Sequence, residues 1–188
     1  PGFRGTQLFE WVYKKGIISF DEMNNVSKEH RALISENFKI GNFISQEFHS
    51  KDGTVKFLHE LVDGEKIESV LIPMQNRYTL CVSTQVGCPL DCKFCMTGKH
   101  GFRRNLRPWE IAEQVLSAKR MYGKEKEVSN LVFMGMGEPL ANYDALLGAI
   151  RILNSTDGLA IGARNMTVST SGLPQNIKKL SFPSPLRS

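Results

Sequence analysis

Residues 131–153 read LVFMGMGEPLANYDALLGAIRIL, and this stretch decides the class of fold. Its first four residues are apolar and are typical of a short buried strand, whereas Gly135 to Pro139 are typical of a loop. Apolar residues then recur at the spacing of one helical face, at Tyr143, Leu146, Leu147, Ile150 and Leu153. The stretch therefore predicts a strand, a loop and a helix in succession, which is one βα unit.

Two similar units flank this one. The run Tyr78 to Ser83 predicts a strand, and a helix is predicted from Pro108 to the residue before Gly123. Met166 to Thr170, followed by Ile177 to Leu180, predicts the start of another unit. Successive βα units form a parallel sheet with helices outside it, and ligands bind to the loops that follow the carboxyl ends of its strands. We therefore expect an α/β fold with a ligand site at those loops.

Three units leave a parallel edge strand uncovered, although parallel sheets are normally buried on both faces. We therefore expect further βα units and interpret the sequence as a fragment of a larger protein. The chain begins with Pro1 and its tail from Ser181 to Ser188 shows no structural pattern, as a truncation or a change of reading frame would give. Residues 74–188 are accordingly predicted to be an incomplete core domain.

The segment before this core has two further patterns. Residues 1–40 carry short helical runs, with a capping box at Ser19 to Glu22 and a cap at Ser27. From residue 41 the apolar period changes to two, and Asp-Gly pairs typical of hairpin turns separate three strand-like runs. Pro73 is expected to end the third run. The sequence thus predicts a helical domain at 1–40 and an antiparallel meander at 41–73.

The composition excludes some classes of protein. The 188 residues are 41% hydrophobic and 23% charged, which excludes a wholly disordered chain. No run approaches the roughly 18 apolar residues of a membrane span, and the first residues contain no apolar signal core. We therefore expect a cytoplasmic protein with no membrane partner. The net charge of +5 permits a nucleic-acid partner without requiring one.

All four cysteines lie within fifteen residues, at Cys81, Cys88, Cys92 and Cys95. A disulfide framework would spread its cysteines to close long loops, so this clustering indicates a metal or redox site. The last three have the spacing C-x3-C-x2-C and leave one position open on a centre that takes four ligands. Two kinds of site are compatible with this motif. One is an iron-sulfur cluster with an iron free to bind a cosubstrate, and the other is a structural zinc site completed by His100.

The cysteine motif, with Phe94 directly before its last cysteine, resembles that of the radical S-adenosylmethionine superfamily. Other motifs narrow the resemblance to the dual-specificity methyltransferases that modify carbon 2 of adenine in ribosomal and transfer RNA. These motifs are Gly87-Cys88, Met96-Thr-Gly98, Gly101-Phe102, Arg104-Asn105-Leu106, and Met134 to Leu140 with Asn142. The resemblance covers nearly the whole chain and implies a partial (βα)6 barrel behind a helical accessory domain.

The resemblance also implies the cofactors and the residues that hold them. The three cysteines of the motif, Cys88, Cys92 and Cys95, would hold a four-iron four-sulfur (4Fe-4S) cluster whose open iron binds S-adenosylmethionine. Gly137, Glu138 and Ser169 match contacts of that cosubstrate, and the Glu138 carboxylate would pair with its ammonium group.

Two residues match catalytic positions of the family. Cys81 matches the cysteine that resolves the covalent adduct with RNA, and Glu68 matches the proton acceptor. From the residues alone, Cys81 is also compatible with an ordinary buried cysteine, and Glu68 with a solvated carboxylate on a strand. In this family the methyl group is first carried by a C-terminal cysteine, and no cysteine follows Cys95 here. We therefore expect this chain alone to be inactive in RNA methylation.

The expected partner is RNA, namely ribosomal RNA and also transfer RNA. Five basic residues and no acidic ones lie between Asp91 and Glu110, and they are Lys93, Lys99, Arg103, Arg104 and Arg107. Such a patch attracts phosphates, and Phe102 or His100 could stack on an unpaired base, although a solvated basic loop is the alternative. The family resemblance further implies a monomer that receives electrons from a donor such as flavodoxin or ferredoxin. Two rival functions are a carbon-8 adenine methyltransferase and a zinc-bearing RNA-binding module without catalysis.

Overall fold

The structure is a computed structural model that describes residues 2–41, 43–75, 77–90, 92–123 and 125–181. Residues 182–188, where the sequence shows no structural pattern, lie outside this description. In the described part of the chain, no helix is both long enough and apolar enough to cross a membrane.

The N-terminal part is helical. Its elements are helix α1 (Gly2–Phe9), a π-helical turn (Glu10–Lys14), a 3-10 turn (Phe20–Glu22) and helix α2 (Lys28–Asn37). Ser19 and Glu22 form the capping box that the sequence predicts, and the Ser27 hydroxyl accepts a hydrogen bond from the His30 backbone N–H. These elements enclose a small apolar core of their own, made by Trp11, Ile17, Phe20 and Met23.

A six-stranded sheet forms the centre of the molecule, with the order β1-β2-β3-β4-β7-β8. The strands are β1 (Ile44–His49), β2 (Val55–Glu60), β3 (Lys66–Met74), β4 (Arg77–Val82), β7 (Val128–Phe133) and β8 (Met166–Val168). Strands β1 to β4 are antiparallel neighbours, whereas β4, β7 and β8 are parallel. The meander and the βα units therefore share one sheet.

The expectation that Pro73 ends the third strand is wrong. Strand β3 continues to Met74, and Pro73 pairs with Tyr78 of β4. The reason lies in the register with β2, whose first residue, Val55, pairs with Leu71. Beyond Leu71, β3 has a partner on one side only, so a residue without an N–H group is tolerated there as it is on an edge strand.

The loop that carries the cysteines contains a hairpin that the sequence analysis did not predict. Strand β5 (Gln85–Gly87) pairs antiparallel with β6 (Phe102–Asn105), and the short helix α3 (Met96–Lys99) lies between them. The cysteine motif therefore lies between two strands that are hydrogen-bonded to each other, so both ends of the loop are fixed.

Three helices follow the parallel strands, as the sequence predicts. They are α4 (Pro108–Tyr122), α5 (Tyr143–Asn154) and α6 (Pro174–Ser181), with 3-10 turns at Pro139–Asn142 and Ala163–Asn165. One face of the sheet, including Phe57, Leu80 and Phe133, packs against apolar residues of α4 and α5 in the main core. Arg120 of α4 joins this core to the N-terminal part, because its guanidinium donates to backbone carbonyls at Gly16, Ile17 and Gly41, each at 3.0 Å.

The opposite face of the sheet is here called the open face. Strand register places one row of side chains across it, in the order Phe48, Lys56, Val70, Cys81, Val132 and Thr167. All of these are partly or well exposed except Cys81, which is 8% exposed. A second row begins with Gln46, Leu58 and Glu68. The open face thus carries a mixture of apolar, polar and reactive side chains, whereas the other face carries the core.

Candidate functional site

The backbone that directly follows β4 is held by two buried amide side chains. The Gln114 side chain accepts a hydrogen bond from Ser83 N at 2.8 Å and donates to Ser83 O at 2.9 Å. Asn142 Nδ2 donates to the carbonyls of Thr84 and Leu106, both at 2.8 Å. Because buried backbone groups need partners, these two amides fix the path of the chain as it leaves the sheet. The sequence analysis did not identify Gln114, and Asn142 entered it only through the family motif.

The loop at residues 135–138, which follows β7, is attached to this fixed segment. The carbonyl of Met136 accepts from the backbone N–H groups of Thr84 and Gln85, at 2.9 and 3.1 Å. The Ser83 hydroxyl accepts from Met136 N at 2.8 Å and donates to the Glu68 carbonyl at 2.6 Å. Ser83 therefore ties the loop after β7 to the strand that carries Glu68.

Gly137 is required by its close approach to Gln85. Gly137 has a φ of +98°, and a Cβ built on it would lie 2.5 Å from the Gln85 Cβ. The Gln85 side chain also accepts a hydrogen bond from Glu138 N at 2.8 Å. The close approach to Gln85 is a reason for glycine at position 137 that is independent of the cosubstrate contact implied by the family resemblance.

The Glu138 carboxylate joins the loop after β7 to the turn after β8. It accepts four hydrogen bonds, from Leu140 N at 3.0 Å, Thr170 Oγ1 at 2.7 Å, and Ser171 N and Oγ at 2.8 and 2.9 Å. Burial raises the pKa of Glu138, but the hydrogen bonds from Ser171, Thr170 and Leu140 outweigh it and leave the pKa below its usual value. Four donors fill the lone-pair sites of a carboxylate, so a ligand ammonium could pair with Glu138 only by displacing one of them. Ser169, the other predicted cosubstrate contact on this turn, lies directly after β8, with its backbone N–H bonded to Phe133 O at 3.2 Å.

The cysteine motif begins directly after β5. The backbone N–H of Cys88 donates to the Gly101 carbonyl at 3.2 Å, and a Cβ built on Gly87 would lie 1.8 Å from that oxygen. Gly87 has a φ of +72°, so both its conformation and its surroundings require glycine. Cys92 and Cys95 follow, and both thiols are free, as is that of Cys88.

The thiols of the motif differ in their surroundings. Burial raises the pKa of Cys88, and the neighbouring thiols of Cys95 and Cys92 and the Glu138 carboxylate raise it further. The pKa of Cys95 is lowered by hydrogen bonds from the backbone of Gly98 and from Thr97, at the start of α3. The cysteine loop and the loop after β7 lie in one region, because Gln85 at the start of β5 bonds to both Met136 and Glu138.

Strand register places Cys81 and Glu68 on the open face. Cys81 lies directly opposite Val70, two residues after Glu68 in β3, so the two side chains are diagonal neighbours. Burial raises the pKa of the Cys81 thiol, opposed by a hydrogen bond from the Met134 backbone. The Glu68 carboxylate forms an ion pair with Lys56 at 3.0 Å, and both side chains are almost half exposed. The structure thus brings the two predicted catalytic residues to one surface.

The five basic residues proposed to bind RNA have different environments. Arg104 donates to both carboxylate oxygens of Glu110 at 2.9 Å and to Asp63 at 2.6 Å, and these bonds raise its pKa further. Arg103 pairs with Glu65 at 3.1 Å. Among the described residues, Lys99 and Arg107 have no ion-pair partner. Asp63 and Glu65 come from the β2–β3 turn, so a count of charges along the loop could not reveal these pairs.

Comparison with known proteins identifies the family. The model of the radical SAM superfamily matches residues 82–181. This chain belongs to the radical SAM superfamily. Residues 1–40 match the model of the ribosomal RNA large subunit methyltransferase N-terminal domain.

Several relatives of this radical SAM chain are RNA methyltransferases by name. A probable dual-specificity RNA methyltransferase RlmN of Thermotoga neapolitana is 48% identical over 95% of this chain and 52% of the relative. The dual-specificity RNA methyltransferase RlmN of Desulfosudis oleivorans is 51% identical over 96% of this chain and 49% of the relative. A crystal structure of a radical SAM methyltransferase from Sphaerobacter thermophilus superposes with a TM-score of 0.91 at 39% identity, covering 100% of this chain and 55% of that one. The resemblance inferred from the sequence and the partial radical SAM fold are confirmed, and the chain spans about half the length of the curated relatives it matches.

Radical SAM enzymes use a 4Fe-4S cluster and S-adenosylmethionine, and the donor set of this chain fits the cluster. A single zinc ion needs its thiolates at about 2.3 Å from one centre, which brings their sulfurs close together. Within the described residues, no three His, Cys, Asp or Glu side chains are gathered closely enough to hold one ion. Cys88, Cys92 and Cys95 are free thiols, and three thiolates on a four-iron cluster leave one iron open for the cosubstrate. The Cys3His zinc site with His100 is therefore not assembled in the described structure.

Proposed function

We propose that this chain supplies the cluster-binding and cosubstrate-binding part of an enzyme that methylates carbon 2 of adenine in 23S ribosomal RNA and in transfer RNA. One observation carries the proposal. The loop at 135–138 and the cysteine hairpin are both anchored to residues 83–85, next to the open face that carries Glu68 and Cys81. The matches to RNA methyltransferases over 95% or more of the chain support RNA as the substrate.

The substrate explains why this chemistry is needed. Carbon 2 of adenine lies between two ring nitrogens, is electron-poor and carries a hydrogen that is not acidic, so it does not attack a methyl sulfonium as a nucleophile. When bound, the cluster supplies the electron that cleaves S-adenosylmethionine reductively. Cys88, Cys92 and Cys95 would hold the cluster, and Gly137, Glu138 and Ser169 would hold the cosubstrate beside it.

The open face provides the remaining residues of the proposed reaction. Glu68 accepts the proton that leaves the modified base, and Lys56 holds its carboxylate in place by the ion pair at 3.0 Å. Cys81 is the thiol that attacks the sulfur of the methyl-carrying cysteine, which lies outside this chain. The bond between that sulfur and the carbon on the base breaks, its electron pair and a proton from solvent complete the methyl group, and the two sulfurs form a disulfide as the methylated RNA is released. The target base must leave its stack to reach this face, which costs a few kcal/mol, so an unpaired or loop nucleotide is the preferred substrate.

The basic residues near the cysteine loop supply attraction for the phosphates of RNA. Lys93, Lys99, Arg103 and Arg107 remain candidates, because the pairs of Arg104 with Glu110 and Asp63 give that residue a structural role. Phosphate contacts of this kind give affinity without sequence preference and weaken as salt rises. We further propose that the protein works in the cytoplasm as a monomer with a flavodoxin-like or ferredoxin-like electron donor.

The cofactor part of the proposal is tested on the chain itself. After anaerobic reconstitution, wild-type protein is expected to contain iron and sulfide in equal amounts, to show charge-transfer absorption, and to form 5′-deoxyadenosine from S-adenosylmethionine with dithionite. Cys95→Ala is expected to lose the cluster, whereas Cys81→Ala, the matched control, is expected to keep it. Colourless protein with stoichiometric zinc would contradict the proposal.

The position of methylation is tested in the host. Deletion of the gene for this protein is expected to remove 2-methyladenosine from ribosomal RNA, measured by mass spectrometry of digested nucleosides. Loss of 8-methyladenosine with 2-methyladenosine intact would instead support the carbon-8 reaction.

A further inference from the structure

The row of side chains that crosses the open face extends well beyond the predicted catalytic pair. Its first member, Phe48 on the edge strand β1, is 48% exposed. Phe48 pairs with Lys56, Lys56 with Val70, and Val70 with Cys81. Three strand spacings of about 4.8 Å therefore separate Phe48 from Cys81, or about 14 Å across the sheet.

Lys56 connects the Phe48 ring to Glu68. The Lys56 ammonium lies 5.1 Å from the centre of the Phe48 ring and 3.0 Å from Glu68 Oε1. An ammonium at this distance from an aromatic ring is attracted to its face, and the same ammonium pairs with the carboxylate. An exposed ring, a cation and the predicted proton acceptor thus form one continuous group on the open face.

We propose that Phe48 is a stacking platform for an unpaired base that flanks the target adenine. The inference rests on the proposed function and names a contact of the RNA outside the reaction centre. With the target base beside Cys81 and Glu68, the strand spacing puts the neighbouring part of the RNA over Phe48. Lys56 keeps the ring and the Glu68 carboxylate in a fixed relation, so binding of the flanking base positions the target base.

The chemistry around Phe48 favours RNA over a protein partner. The core of a protein interface is apolar and depleted of charge, whereas Phe48 lies opposite Lys56, whose ammonium pairs with Glu68, and beside Gln46 and Leu58. Single-stranded RNA is recognised by aromatic rings that stack on bases, with polar and cationic side chains beside them. An aromatic ring on an exposed strand next to a lysine has this character.

The experiment measures the affinity of the reconstituted chain for RNA. The probe is a short unpaired RNA with one central adenine and a fluorescein label, and the readout is fluorescence anisotropy at constant salt. Phe48→Ala is expected to weaken binding at least about fivefold, since base stacking on an aromatic ring is worth about 1–3 kcal/mol. Phe48→Trp is expected to retain the affinity. The control is Phe38→Ala, because Phe38 is 61% exposed but lies in the N-terminal part, and it is expected to change the affinity less than about twofold.

A second measurement does not depend on variants. Photo-crosslinking of wild-type protein to the same RNA with 4-thiouridine next to the adenine is expected to label the peptide that contains Phe48. Equal affinities for Phe48→Ala and Phe38→Ala, no detectable binding, or a crosslink confined to other peptides would overturn the inference. So would a wild-type dimer in light scattering that Phe48→Ala converts to a monomer.

Iron content and cleavage of S-adenosylmethionine are measured on the same samples. If the cluster is intact and Phe48→Ala binds RNA with unchanged affinity, only the stacking platform is refuted. If the chain contains no iron after reconstitution, the proposed function is refuted.

Discussion

Acid is expected to destabilise this protein through one buried histidine. His59 of β2 is fully buried, its Nε2 lies 2.7 Å from the Ser69 hydroxyl, and its Nδ1 has no hydrogen-bond partner among the described residues. Burial lowers its pKa from 6.5 to about 4, because the charged ring would lose its hydration. The unfolded chain therefore binds this proton more readily than the folded chain.

The sign and size of the effect follow from these two values. A depressed histidine pKa leaves stability unaffected well above pH 6.5 and reduces it as the pH falls from 6.5 to about 4. The full difference between the two pKa values corresponds to about 3 kcal/mol, reached only below pH 4. Between pH 7 and pH 5, the same two values give a loss of about 2 kcal/mol in the free energy of unfolding.

The assay is urea unfolding at pH 7, 6 and 5, followed by circular dichroism, for three proteins. His59→Gln removes the titrating ring and keeps a donor for Ser69, so it is expected to lose about 2 kcal/mol less than wild type between pH 7 and pH 5. His49→Gln is the control, because the His49 side chain is 60% exposed, and it is expected to follow wild type. If the free energy of unfolding falls equally with pH in wild type and in His59→Gln, protonation of His59 is not the cause of the destabilisation.

Three further substitutions test the fold around the site. Gly87→Ala is expected to lower the free energy of unfolding by about 2 kcal/mol or more and to lower the iron content after reconstitution, because its Cβ would lie 1.8 Å from a backbone carbonyl oxygen. Gly5→Ala is the control, because a Cβ at Gly5 would have no atom within 4 Å, and it is expected to leave both quantities unchanged. Arg104→Met is expected to lower the free energy of unfolding by about 2 kcal/mol, because it leaves the buried Glu110 carboxylate without its ion-pair partner. Arg103→Met is the control, since the Arg103 side chain is 66% exposed, and it is expected to change this free energy by less than about 0.5 kcal/mol. Equal effects of the two variants in thermal unfolding would contradict the structural role of Arg104. Arg120→Met removes the donors to three carbonyls of the N-terminal part and is expected to speed its cleavage in limited proteolysis, and an unchanged cleavage rate would show that other contacts hold it.

The parallel part of the sheet and its helices could be predicted because their signals are local. Apolar runs mark β7 and the helical faces, and Pro108 and Gly123 mark the ends of α4. The β5–β6 hairpin could not be predicted in the same way, because its strands are only three and four residues long and are separated by the cysteine motif. Pairing over such a distance depends on tertiary structure rather than on local pattern.

The cysteine motif, the Gly-rich loop and the family match could be recognised in the sequence, but the residues that support them could not. Gln114 lies between Ala112 and Val115 on the buried part of α4, and a polar residue within an apolar helical face is the one available signal of such a role. Ser83 and Gln85 gave no signal, because their hydrogen bonds reach residues more than fifty positions away. The ion pair of Arg104 with Asp63 could not be predicted for a similar reason, since the two residues are remote in the sequence.

The four hydrogen bonds to the Glu138 carboxylate affect which ligand groups can bind to it. Neutral donors already form four hydrogen bonds to the carboxylate. A ligand with a neutral donor would replace one of these bonds by an equivalent one, with no gain in binding free energy. A cation adds the attraction between two full charges to its hydrogen bond, so an ammonium group is better able than a neutral donor to replace one of the four. We therefore expect a ligand that reaches Glu138 to present a cationic group, as the ammonium of S-adenosylmethionine would.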